Sequence, residues 1–338
     1  MISTDRRGFL AAAGAGILAL TGCTVSDPRI VGGPTAPPPQ PSPSPLPTIP
    51  GQQVAIGLES ELAASCARLQ QNAGGLQLPA PQAAAAGWLA AAHQAHLTAL
   101  LGVRPSDRPT TLPTPDARWS PRPVPTPTVT LPTDRAAALR VVTELEGRGT
   151  DPYRESALAS SGTTALLWGS LAAYTRAAAV LLGSTSTRPE PPAAEIRPPA
   201  SASDVEAPQQ LLRQTDALVY GYQVAIGWLR GAEAQNALTV LGRRRALRDQ
   251  VTALLRDRGQ QAPAAEPAYQ LTAQPTDPAT ARELLWRMEI AFAPFAGGWL
   301  AAATQTPDRR LAQEALEDTV QLAVGWGGPL PVWPGWPL

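Results

Sequence analysis

The chain of 338 residues carries 27 basic and 27 acidic side chains, which leaves no net charge at pH 7. A balanced chain has no long-range field to attract nucleic acid, so the composition argues against a nucleic-acid partner. Every basic side chain is arginine, and proline is abundant, with 38 residues.

The first 22 residues have the pattern of an export signal. Arg6 and Arg7 precede Phe9 and Leu10, and a short apolar stretch then continues to Leu20. A secretory leader combines a basic start, a short apolar segment and small residues at the cleavage site. The stretch is shorter than the ~20 apolar residues that a transmembrane helix requires. The paired arginines resemble a twin-arginine signal, which implies export of folded cargo.

The leader ends in Leu20, Thr21, Gly22 and Cys23. This ending resembles the lipobox of bacterial lipoproteins, which implies a mature chain that begins at Cys23 with diacylglycerol and further acyl chains attached to it. Because each buried CH₂ contributes about 0.8 kcal/mol, several acyl chains hold a protein firmly in a lipid bilayer. We therefore expect a lipid anchor on the extracytoplasmic face of the cell membrane, and no other cofactor. Only Cys66 then remains as a thiol, so an intramolecular disulfide is excluded.

Proline-rich segments divide the chain into regions. The predicted regions are a signal peptide at 1–22, the lipidated cysteine and a proline-rich stalk at 23–52, an N-terminal helical region at 53–187 with a proline-rich insert at 105–133, a linker at 188–206, a four-helix bundle at 207–328, and a tail rich in proline and tryptophan at 329–338. The prolines of the tail forbid a helix there, so we expect it to lie across the helical body.

Apolar residues recur at helical spacing and predict an all-α fold. The predicted helices cover 53–73, 80–102, 134–147, 152–183, 207–230, 233–258, 278–303 and 308–325. Asp151 and Asp277 each precede a proline, which is typical of a capping residue followed by the first helical position. Four amphipathic helices with short connections predict an antiparallel bundle for the second half.

Three segments of the second half are characteristic: Asp216 to Tyr222, the arginine-rich run from Arg243 to Asp249, and Pro263 to Tyr269. From about Ala207 onward the chain resembles a ferritin-like domain of unknown function in actinobacterial lipoproteins. Ferritin-like folds often hold two metal ions with glutamates and Glu-x-x-His pairs. The second half contains no histidine, so we expect this bundle to lack such a site.

Arg244 and Arg248 fall on the apolar face of their helix, where an unpaired charge is very costly. Asp216 and Glu289 are the nearest partners by helical position, and we expect these four residues to form a buried ion-pair cluster. Glu283, Glu314, Glu317 and Asp318 are expected to face away from the core. The alternative is that both arginines extend past the bundle edge to solvent.

His93 and His96 are three residues apart on the apolar face of the second helix. They could share a metal ion, with Glu61 on the preceding helix as a third ligand. The alternative is a pair of core histidines that are hydrogen-bonded to carbonyl or carboxylate groups. Cys66 lies near the apolar face of its helix and is expected to be a buried thiol, because no base can be paired with it by spacing.

Signatures of serine hydrolases, P-loop proteins and dinucleotide-binding proteins are absent from the sequence. The sequence therefore favours a non-catalytic binding or scaffolding role in the cell envelope, with an envelope protein or a small ligand as partner. Two alternatives stay open: a metal-handling protein that uses His93 and His96, and a binder of an apolar ligand between helices beside Trp88, Trp168 or Trp299.

Overall fold

The computed structural model of the protein describes residues 49–102, 127–192, 197–271 and 273–337. The predicted signal residues, the lipidation site, most of the stalk and most of the 105–133 insert lie outside the described residues. These include Arg6, Arg7, Phe9, Leu10, Leu20, Gly22 and Cys23. Within the described ranges the chain is all-α, as predicted, and has no strand.

The described part of the chain forms eight helices. They are α1 (Gln52–Gln71), α2 (Ala80–Gly102), α3 (Arg135–Ala159), α4 (Gly162–Gly183), α5 (Glu206–Ile226), α6 (Gly231–Asp257), α7 (Pro278–Ala302) and α8 (Thr306–Gly325). The predicted cap of α7 is confirmed, because the Asp277 carboxylate accepts hydrogen bonds from the backbone N–H groups of Ala279 and Thr280.

The predicted boundary between the third and fourth helices is wrong. The α3 helix continues through Pro152 to Ala159, and the chain breaks only at Ser160 and Ser161, before Gly162 with a φ of 61°. A proline inside a helix removes one backbone hydrogen bond. Packing offsets that loss here, because the buried side chains of Tyr153 and Ala157 hold the last turns of α3 in the core.

The first four helices pack in pairs, α1 along α2 and α3 along α4. In the second half α5 packs against α6 and α7, and α7 packs against α8. The α4 helix also contacts α7 and α8, so the two helical halves share a continuous apolar core. By length and composition α4 could cross a bilayer, but 83% of its most apolar window is buried within the protein. Such burial is typical of the central helix of a folded core.

The C-terminal tail lies across the helical body, as its prolines and tryptophans predicted. The side chains of Trp326, Trp333 and Trp336 are all buried. The backbone of the tail passes so close to α7 that a Cβ atom on Gly297 would overlap the carbonyl oxygen of Gly335. Glycine at position 297 is therefore required for the tail to dock.

Candidate metal centre

A cluster of ionisable side chains lies at the centre of the first four helices. Glu59 comes from α1, His93 and His96 come from α2, and Glu146 comes from α3. Each of these residues is 0% exposed. Buried charged groups are tolerated only when they are paired or bind an ion, so the cluster must be internally compensated.

One carboxylate oxygen of Glu59 lies within hydrogen-bond distance of both histidines. Its Oε2 atom lies 2.8 Å from Nδ1 of His93 and 3.1 Å from Nδ1 of His96. The other oxygen, Oε1, accepts a hydrogen bond of 2.8 Å from the hydroxyl of Tyr153. The two imidazoles therefore present the same ring nitrogen to a single, fixed carboxylate.

The Nε2 atoms of the two histidines face acceptors other than Glu59. Nε2 of His93 lies 2.9 Å from Oε1 of Glu146, and Nε2 of His96 lies 2.7 Å from the backbone carbonyl of Val332 in the tail. The edges of Tyr174 and Trp333 pack against His96, with ring centroids 4.7 Å away in both cases. Each ring nitrogen of the two histidines therefore faces an acceptor, which fixes the orientation of both rings.

The electrostatics of the cluster are those of a buried ion network. Burial alone would lower the pKa of His93, but the carboxylates of Glu146 and Glu59 outweigh it and raise this pKa to about 10. Burial alone would raise the pKa of Glu59, but the two histidines outweigh it and hold this pKa far below its ordinary value. Burial raises the pKa of Glu146 despite the neighbouring His93.

Two sets of three residues in this cluster place potential ligand atoms within 4.8 Å of one another. They are Glu59 with His93 and His96, and Cys66 with His93 and Glu146. Burial, together with the carboxylates of Glu146 and Glu59, raises the pKa of the Cys66 thiol. The expectation that Cys66 is a buried thiol is therefore confirmed, and the thiol adjoins the histidine cluster.

The sequence identified the two histidines but not their carboxylate partners. Glu61, the expected third ligand, lies instead at the surface, where its carboxylate is 3.3 Å from the guanidinium of Arg148. A signal for Glu59 was available, because it continues the buried stripe of Ile56, Leu62 and Cys66 along α1. Glu146 similarly follows Val142 in the stripe of α3, whereas Glu61 is off the stripe of its own helix.

The second half contains a different buried cluster, built around Arg244 and Glu289. The guanidinium donates two hydrogen bonds to the carboxylate, of 3.2 Å from Nε and 2.5 Å from Nη2. The hydroxyls of Tyr222 and Thr319 also donate to Glu289, and Trp326 donates to the Tyr222 hydroxyl. Burial raises the pKa of Glu289 despite the neighbouring Arg244 and the two hydroxyl donors.

The structure thus pairs two of the four residues expected in the ion-pair cluster, Arg244 and Glu289. Arg248 is partly exposed and pairs with Asp249 on its own helix, 2.8 Å away. Asp216 is buried but makes no ion pair with Arg244 among the described contacts. Asp318, which was expected to face away, lies 3.4 Å from Arg244. The helical-wheel estimate failed because α8 is rotated so that Asp318 borders α6.

Glu317 was also expected to face away, and this is wrong. Its side chain is 0% exposed and accepts hydrogen bonds from Arg154 on α3 and Arg176 on α4. Gln313 donates a further hydrogen bond of 2.9 Å. Glu317 faces the other helical half instead of solvent, so it stabilises the contact between the two halves.

Two of the three tryptophans expected beside an apolar ligand pocket are core residues. Trp168 and Trp299 are 0% exposed. Trp88 borders a surface cleft of about 270 Å³ with Leu181 and Arg188. Of the three alternative positions for an apolar ligand, the one beside Trp88 borders a cleft in the described part of the chain.

Comparison with known proteins concerns the second half of the chain. Residues 207–337 match the family described as a domain of unknown function, DUF4439. A conserved hypothetical protein, rv2844, from Mycobacterium tuberculosis is 30% identical over a match that covers 36% of this chain and 93% of that chain, with a TM-score of 0.36. The chain therefore belongs to the DUF4439 family through this segment.

No curated protein matches the chain. The DUF4439 segment includes Arg244, Glu289 and the tail, but it does not include the histidine cluster of the first four helices. The DUF4439 tail nevertheless contributes the carbonyl of Val332 that fixes His96. The histidine cluster is thus a feature of this chain outside the matched domain, and the matched domain completes it.

Proposed function

We propose that the protein binds a divalent transition metal ion through Glu59, His93 and His96. The observation that carries the proposal is the convergence of both Nδ1 atoms on a single oxygen of Glu59 while both Nε2 atoms have separate acceptors. A histidine that binds a metal through one ring nitrogen characteristically donates its other N–H group to a carboxylate or a backbone carbonyl. Glu146 and Val332 supply those two acceptors.

The ligand set favours a transition metal over calcium or magnesium. Two imidazole nitrogens and one carboxylate oxygen suit Zn²⁺, Fe²⁺ and similar ions, whereas Ca²⁺ and Mg²⁺ prefer oxygen ligands. The Tyr153 hydroxyl holds the second oxygen of Glu59, so this carboxylate is oriented before an ion arrives. Because all three ligands are buried, the site favours retention of an ion over catalysis on a free substrate.

Metal analysis of the purified chain tests the proposal. Glu59→Gln and His96→Gln should each reduce Zn²⁺ binding at least tenfold, since each removes a ligand and leaves the helices intact. Glu61→Gln is the matched control, because it changes a surface glutamate of the same helix that binds Arg148. At a Zn²⁺ concentration of 100 Kd, binding should stabilise the parent protein by about 2.7 kcal/mol.

The proposal fails if the parent protein binds no stoichiometric ion from Zn²⁺, Fe²⁺ or Mn²⁺. It also fails if Glu59→Gln and Glu61→Gln bind the ion equally well. Either result would favour the alternative, in which His93 and His96 are core residues that stabilise the bundle through hydrogen bonds alone.

We further propose that this metal-binding body is held at the extracytoplasmic face of the membrane by acyl chains on Cys23. The resemblance of residues 20–23 to a lipobox and the paired Arg6 and Arg7 support the proposal. Cys23→Ala should move the protein from the membrane fraction to the soluble fraction or stop its processing. A Cys23→Ala protein that keeps its lipid label and membrane association would refute the anchor.

A further inference from the structure

The second set of potential ligands in the cluster has a feature that the proposed site does not explain. Oε1 of Glu146 accepts from His93, but Oε2 is buried and has no hydrogen-bond partner within the described part of the chain. A buried carboxylate oxygen without a partner is costly, and a bound ion would satisfy it. Cys66, His93 and Glu146 each place a potential ligand atom within 4.8 Å of the other two.

We propose that Cys66, Glu146 and Nε2 of His93 form a second, thiolate-containing subsite for a Zn²⁺-like ion. The two subsites would then share His93, whose Nδ1 faces Glu59 and whose Nε2 faces Glu146. Thiolate, imidazole and carboxylate are the ligand types of zinc sites, and a fourth position is open to water. This inference rests on the proposed function, because the shared imidazole is already a ligand of the first ion.

The incoming ion forms bonds to Sγ of Cys66, Nε2 of His93 and an oxygen of Glu146. The S–H bond of Cys66 breaks, because a thiol must be deprotonated to bind a metal. The N–H bond at Nε2 of His93 also breaks, so the ring that already holds the first ion at Nδ1 becomes a bridging imidazolate, and Glu146 exchanges its hydrogen bond from this nitrogen for a bond to the ion. The two protons leave to solvent. No electron is transferred, so neither an oxidant nor a reductant is required.

The thiolate of Cys66 gives the subsite its selectivity, because this soft ligand suits Zn²⁺-like ions. The side chain is 0% exposed and adjoins His93 and Glu146. An ion that binds thiolate strongly can displace the proton, whereas Mg²⁺ and Ca²⁺ cannot. The subsite is therefore expected to bind Zn²⁺ or Co²⁺ and to ignore hard cations.

Titration of the full chain with Co²⁺ tests the second subsite, because a cobalt–thiolate bond gives a charge-transfer band in the near ultraviolet. The parent protein should bind about two equivalents and show the band. Cys66→Ser should bind about one equivalent and lose the band. In the full chain prepared without acylation, Cys23→Ser is the matched control for the other thiol and should keep the band.

Variants of Glu59 and Glu146 separate the proposed function from the second subsite. Glu59→Gln should lose one equivalent of Co²⁺ and keep the band, and Glu146→Gln should lose the band. A parent protein that binds one ion without the band overturns the second subsite and leaves the proposed function standing. A parent protein that binds no ion overturns both, and a band that persists in Cys66→Ser overturns the second subsite alone.

Discussion

Replacing Glu289 with alanine removes the carboxylate on which four donor atoms of the second half converge. Arg244 supplies two of them, and the hydroxyls of Tyr222 and Thr319 supply the others. Arg244 and Glu289 are 1% and 0% exposed. Removing one partner of a buried ion pair costs about 3–5 kcal/mol, because the other charge stays buried without compensation.

The contacts that remain after Glu289 is removed do not change this expected loss of stability much. Asp318 remains 3.4 Å from Arg244, but it is partly exposed and therefore only a weak substitute. The Thr319 hydroxyl can still donate to the backbone carbonyl of residue 289, and the Tyr222 hydroxyl still accepts from Trp326. We therefore expect Glu289→Ala to lower the free energy of unfolding by about 3–5 kcal/mol.

Urea unfolding, followed by tryptophan fluorescence and circular dichroism, measures this loss. Glu283→Ala is the matched control on the same helix, because Glu283 forms an exposed pair with Arg287 that is worth about 0.5 kcal/mol. The double change Arg244→Met and Glu289→Leu should recover most of the loss, since apolar side chains can replace a buried pair. Free energies of unfolding of Glu289→Ala and Glu283→Ala that differ by less than about 1 kcal/mol would show that the buried pair does not stabilise the bundle in this way.

Three further outcomes follow from the packing and the charges. Gly297→Ala should displace the tail, lower the free energy of unfolding by about 1–3 kcal/mol and weaken Zn²⁺ binding. Gly298→Ala is the control, because a Cβ atom there meets nothing within 4 Å. Equal melting temperatures for the two variants would contradict the close contact between the tail and α7. Pro152→Ala should restore a backbone hydrogen bond inside α3 and raise the melting temperature; a lower melting temperature would argue against the continuous helix. Burial alone would raise the pKa of Glu317, but hydrogen bonds from Arg154 and other donors hold this pKa below its ordinary value of 4.5. The ionised carboxylate therefore stabilises the folded protein above pH 4.5, and this contribution is lost as the pH falls through the pKa of the folded state. Glu317→Gln should therefore lose less stability than the parent protein on acidification below pH 4.5, and parallel urea midpoints from pH 7 to pH 3 would contradict that sign.

Local patterns determined most of the helices. Helical spacing of apolar residues located six of the eight described helices within a few residues, and the Asp277 cap fixed the start of α7. Pro152 misled the prediction because a proline after an aspartate is a strong local signal for a helix start. Local signals do not include the packing of Tyr153 and Ala157 that keeps α3 continuous.

The sequence by itself determined that His93 and His96 share one face of α2, because residues three apart on a helix are neighbours. It did not determine which carboxylates meet them. Glu59 and Glu146 lie 34 and 53 positions away from His93 in the chain, and only the packing of α1 and α3 against α2 brings them within 3 Å of its ring. The carbonyl of Val332 is 236 positions from His96 and reaches it through the docked tail. Periodicity describes one helix at a time, whereas a metal centre is made by the relative rotation of several helices, which tertiary packing alone decides.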